Sequence, residues 1–119
     1  MPTRDEHVKK AEGNQTFADS IEPTSQARID WKLIVFFYTA MHYVEAYLAK
    51  SIGMHLRSHT TRDNYVSRES NLKKVRVSYG HLKFYGYNAR YEPDTFTAQD
   101  VQDAADYLAQ LKSELLPLI

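Results

Sequence analysis

The sequence predicts an all-α protein, an up-and-down bundle of four long helices plus one short helix. Three observations carry that expectation. No run alternates apolar and polar residues for long, which argues against strands. Apolar residues recur instead at three- and four-residue spacing, most cleanly in Val101, Ala104, Ala105, Leu108, Leu111 and Leu115. Between such segments, Gly, Pro and small polar residues fall where helix ends and short loops need them.

Thr3 and Glu6 form a T-x-x-E capping box, so a first helix is expected to start there. Val8, Ala11, Ala18 and Ile21 give it an intermittent apolar stripe with Phe17 beside it. Gly13 and Asn14 weaken it, and Pro23 ends it. Thr24 or Ser25 can cap the central helix, Ala27 to Ile52, which runs for about seven turns without Gly or Pro. Steps of about 100° leave it only a narrow solvated stripe of Lys32, Thr39 and Lys50, bordered by Phe36, Tyr43 and Ala46. A helix apolar nearly all round is covered on more than one side, here by its own bundle and by a second copy of the chain.

Gly53 stops that helix, and Met54 to Ser58 reads as a loop. Thr60 or Thr61 then caps a short helix to about Arg68, with Tyr65 and Val66 as its apolar contacts. A longer helix follows from about Leu72 to Ala89. Leu72, Val75, Tyr79 and Leu82 are its core stripe, and Gly86 continues the line where a neighbour comes close. Tyr91 to Phe96, with Pro93, reads as loop. Thr97 and Asp100 start the last helix, which Pro117 closes.

A chain of 119 residues is one domain, residues 1–119, with room for one core. Absence of cysteine removes disulfides, thiolate metal sites and a Cys nucleophile. The opening MPTRDEHVKKAEG has no apolar signal core, and Thr39, His42 and Glu45 interrupt the central helix. The expectation is a cytoplasmic protein that does not enter a membrane. Net charge is zero but uneven: residues 1–49 sum to −2, residues 50–90 to +7 and residues 91–119 to −5. A basic middle block points towards a polyanion partner. The plainer reading is a basic helix packed beside an acidic one.

Several constellations bear on chemistry. Tyr38, His42 and Glu45 make a polar trio on one face of the central helix, read as a buried network that fixes helix register. A buried Glu requires a partner, and Arg90 is the expected one. No metal or other cofactor is expected. A carboxylate-bridged site needs repeated Glu-x-x-His pairs, His42 and Glu45 run in the reverse order, and His55 and His59 straddle a loop. The segment HLRSHTTR sets Arg57, His59 and Arg62 at a helix N-terminus, a plausible phosphate site. Lys73 and Lys74 add charge. Arg76 and His81 are five apart, about 140° around a helix, and act together only if another copy approaches. Such a pair suits RNA cleavage, imidazole moving the proton and guanidinium stabilising the phosphate. In YGHLKFYGYNARY, five aromatics alternate with His81, Lys83 and Arg90. Bases stack on such rings, and at least one of Phe84, Tyr85 and Tyr87 should be exposed.

The segments VKKAEGNQTFA, DWKLIVFFYTAMHYVEAYLA, SHTTR and NARY, with the helix layout, resemble the small stand-alone members of the HEPN domain family over roughly residues 5–115. The resemblance implies a bundle of four long helices with a short extra one, commonly paired as a homodimer. Many members are RNA-cleaving toxins or defence nucleases, and others are non-catalytic partners of nucleotidyltransferases. The nuclease branch carries an R-x4-6-H motif at the dimer cleft, and Arg76 and His81 have that spacing. Val77 stands where the family usually has a polar residue, and Lys83 where related toxins often have Tyr.

The leading expectation is therefore a homodimeric RNA-engaging module, with metal-independent ribonuclease chemistry assigned to Arg76 and His81. Arg57, His59, Arg62, Lys73 and Lys74 would touch the RNA backbone. The alternative is a non-catalytic interaction protein whose partner is another protein such as a nucleotidyltransferase.

Overall fold

A computed structural model describes residues 1–93 and 95–119, and all regular structure among the described residues is helical, with no strand. Five α-helices run in chain order: α1 (Arg4–Asp19), α2 (Gln26–Ile52), α3 (His59–Arg68), α4 (Arg76–Tyr91) and α5 (Ala98–Leu115). Single 3-10 turns at Leu72–Val75 and Leu116–Leu118 precede α4 and follow α5. None of these helices is long and apolar enough to cross a membrane.

Local chemistry sets the ends. Thr3 and Glu6 close a reciprocal capping box on α1, and Thr97 and Asp100 close one on α5. Ser25 caps α2, and α3 starts earlier than expected, capped by Ser58, two residues before Thr60. Gly53 ends α2 at φ 67°, in the left-handed region that glycine enters without strain. The Leu72 start is real, but the first turn is 3-10 and α4 proper begins at Arg76.

Helix α2 is the axis of the molecule. Its 27 residues measure about 40 Å at 1.5 Å each, equal to the longest dimension of the fold, 40 × 24 × 24 Å. Against it pack α1, α4 and α5, and α4 also packs on α5. Leu33, Ala40, Val44 and Leu48 meet Leu72, Val75, Tyr79 and Leu82 from the α4 segment, and Ala104, Leu108, Leu111 and Leu115 from α5, in one core. At the α2–α4 crossing, a Cβ on Gly86 would lie 2.6 Å from Phe37 Cβ, so only glycine admits this approach.

The expected wet stripe of α2 is exposed at Lys50 and half-buried at Lys32, but its centre is dry. Thr39 is fully buried and donates its hydroxyl to the Val35 carbonyl at 2.8 Å, while Phe36 and Tyr43 are each 2% exposed. Lysine stems roof the two rings. Lys32 lies 5.8 Å from the Phe36 centroid and ties down the Ile21 carbonyl at 3.0 Å. Lys112 of α5 lies 5.8 Å from the Tyr43 centroid and donates to Gln15 of α1 at 2.7 Å. One chain thus covers the surface that was expected to need a second copy. Trp31, about 100° round the helix from that stripe, is 60% accessible.

Candidate functional site

Glu45 sits on α2 just before Gly53 turns the chain back on itself, and its carboxylate is buried. Arg62 on α3, also buried, donates from Nε to Glu45 Oε1 at 2.7 Å. The Leu56 N–H donates to Oε2 at 3.0 Å, and Arg62 Nη2 donates to the Leu56 carbonyl at 2.7 Å. Both polar groups of the Leu56 peptide are therefore satisfied by one ion pair, which is why a charge can stay in this interior. The third branch of the guanidinium, Nη1, lies 3.1 Å from His59 Nδ1. His59 and Arg62 share a face because three residues separate them on α3.

Three more histidines extend the network towards α1. His7 Nδ1 is 3.1 Å from His42 Nδ1, His7 Nε2 is 3.0 Å from His55 Nδ1, and His55 Nδ1 is 3.5 Å from Glu45 Oε2. Burial, reinforced by the charges of His7, Lys10 and Arg62, holds His42 down to about 4, and burial lowers His7 as well. Both rings are then neutral at pH 7, each with one donor and one acceptor. His7, Glu45 and His55 bring three ligand-type atoms within 4.8 Å of one another.

On the far side of His59 the network reaches a surface cleft of about 330 Å³, lined by Phe37, Tyr38, His59, Lys83, Gly86, Tyr87, Arg90 and Tyr91. Arg90 Nη1 donates to the Tyr38 hydroxyl at 2.5 Å, and its guanidinium stands 5.1 Å from the Tyr91 centroid. The Tyr87 and Tyr91 rings are 5.0 Å apart, both more than half exposed. Lys83 reaches the rim while bonded to Asp63. Burial first, then the Arg62 and Lys83 charges, keeps His59 below the usual imidazole range. The cleft therefore combines cationic groups with the half-exposed rings of Tyr87 and Tyr91.

Some predicted residues come together here and others do not. Arg62, expected at phosphate, is internal, and it holds the Glu45 place expected of Arg90. The reason is reach: Arg62 rises from the first turn of α3, over Glu45, whereas Arg90 sits at the end of α4 beside Tyr38. Tyr38, His42 and Glu45 share a face as expected but bond to three different partners. Arg57, Lys73 and Lys74 are exposed, and with Arg76 they have no carboxylate within ion-pair distance among the described residues. Arg76 faces a small hollow beside Asp63, Tyr79 and Gly80, while His81 lies flat on Tyr107 of α5 at 4.2 Å. A single chain keeps the two apart.

Phe84 and Tyr87 are exposed, as the aromatic run required. His7 and His55 were not identified as members of any site. His7 carries no sequence signal beyond its place one residue before Val8, and His55 lies in a loop whose path depends on Arg62. No family model, no curated protein and no solved structure matches this chain.

Proposed function

We propose that the chain is a module that engages single-stranded RNA through the cleft between α2 and α4. The observation that carries this is the convergence of Tyr38, Tyr87 and Tyr91 with Arg90, Lys83 and His59 on one opening. Unpaired bases stack on exposed tyrosine faces, and the cations meet the phosphates on either side. The resemblance of VKKAEGNQTFA, SHTTR and NARY to HEPN proteins favours the same ligand, and an all-helical fold of four longer helices and the short α3 is compatible with it. In this reading the exposed Arg57, Lys73 and Lys74 supply further contacts to the RNA backbone outside the cleft.

Binding of a labelled single-stranded RNA, followed by anisotropy, tests the proposal. Tyr87→Ala should cost about 1–3 kcal/mol, the range for one stacked base. Equal binding by Tyr87→Ala and Arg90→Gln would reject the cleft.

Cleavage by Arg76 and His81 is a separate step. It requires two α4 helices to meet across a homodimer, because within one chain His81 is engaged with Tyr107. RNA cut by the wild type and left intact by His81→Ala would establish it. A protein partner is the second reading, favoured by Val77 and Phe84, which are large, apolar and more than half exposed. Its mark is an association that hardly responds to salt.

A further inference from the structure

We propose that His7, Glu45 and His55 form a binding site for one divalent cation of the zinc class. The three side chains come from α1, α2 and the loop after Gly53, far apart in sequence, yet their ligand atoms all lie within 4.8 Å of one another. His7 Nε2 to His55 Nδ1 is 3.0 Å, and His55 Nδ1 to Glu45 Oε2 is 3.5 Å. Tetrahedral zinc with bonds of about 2.0–2.1 Å sets neighbouring ligand atoms about 3.4 Å apart. The spacing thus approximates two edges of that tetrahedron. Two imidazoles and one carboxylate are a donor set that zinc takes readily, with the fourth position left to water.

The ligands are also aimed. Arg62 Nε fixes Glu45 Oε1, and the Leu56 N–H fixes Oε2, so the carboxylate cannot turn away. The second nitrogen of His7 lies 3.1 Å from His42 Nδ1. A proton on His7 Nδ1, donated to His42, leaves the His7 Nε2 lone pair facing the other two ligands. Outer partners of this kind set the tautomer and orientation of metal-binding histidines. Only His55 must rearrange, its Nδ1 proton passing through solvent to Nε2. Its side chain, 22% exposed, also gives the ion a way in. A hydrogen-bonded chain needs its members to meet only in pairs, whereas here all three ligand atoms lie within 4.8 Å of one another. Arg62 neutralises Glu45 beforehand, so a dication leaves the pocket net positive, and affinity should fall below that of thiolate sites.

The test titrates the chelator-treated full chain with Zn2+ by calorimetry and with Co2+ by visible absorption. The expected result is one ion per chain, cobalt bands of tetrahedral strength, and a rise in Tm with Zn2+. Glu45 variants endanger the fold, so the probe is His55→Ala, in the loop, with its far-UV spectrum checked against wild type. It should bind at least about tenfold more weakly, whereas His81→Gln should match wild type. No saturable one-to-one uptake by the wild type overturns the site. So does His55→Ala binding as tightly as wild type, or His81→Gln losing as much as His55→Ala. None of these readouts involves RNA.

Discussion

At Arg62, three guanidinium branches meet Glu45, the Leu56 carbonyl and His59. Lysine has one ammonium and no fork, so it can replace only one of those contacts. Arg62→Ala should cost about 3–5 kcal/mol by chemical denaturation, because it strands a buried carboxylate. Arg62→Lys should recover only a small part. His59 supplies a pH prediction. Its folded value lies below the ordinary imidazole value, so the stability it contributes is present above about pH 6.5 and is lost as pH falls. A bound phosphate favours the protonated ring and raises that value. RNA affinity should therefore increase on lowering the pH from about 7.5 to about 6, and His59→Gln should flatten the response. An unchanged slope in His59→Gln would exclude His59 from the contact. Sequence spacing identified Glu45 as a buried charge in need of a cation. It favoured Arg90 over Arg62 because nothing in linear order shows that the chain after Gly53 folds back over Glu45.

Helix termini and core stripes were the most legible features, because both depend on residues within a few positions of each other. The capping boxes at Thr3 and Thr97 and the stripes of α4 and α5 appear where the pattern put them. The orientation of α2 was not legible. Periodicity shows that such a helix has little polar surface, but which face α1 and α5 cover depends on tertiary packing. Phe36→Ala should accordingly cost about 3–5 kcal/mol, whereas Trp31→Ala, on the open side, should change stability by no more than about 0.5 kcal/mol. Denaturant midpoints for the pair distinguish this packing from the reverse. Gly86→Ala adds a methyl against Phe37 Cβ, which cannot rotate away. Overpacking of about 1–3 kcal/mol opposes a helix-propensity gain of about 1 kcal/mol, for an expected net loss of up to about 2 kcal/mol.

For the molecule as a whole, the basic middle block is not absorbed by its acidic end. Among the described residues no ion pair joins α4 to α5, and of that block's lysines and arginines only Arg62 and Lys83 hold a carboxylate. RNA binding should therefore weaken steeply with salt, with a slope of about −0.7 for each phosphate neutralised. Arg90→Gln should make that slope shallower by about one contact. The radius of gyration, 13.7 Å, is close to the roughly 13.5 Å expected for a compact chain of this length, so the fold closes without a second copy. Within it the helices are unequally held. Whereas α4 and α5 also pack on each other, α1 has α2 as its main support and carries Gly13 in its middle. Fluctuations should thus peel α1 away before the remainder loosens. In deuterated water, the amides of Val8–Ala18 should exchange well before those of Leu33–Leu48.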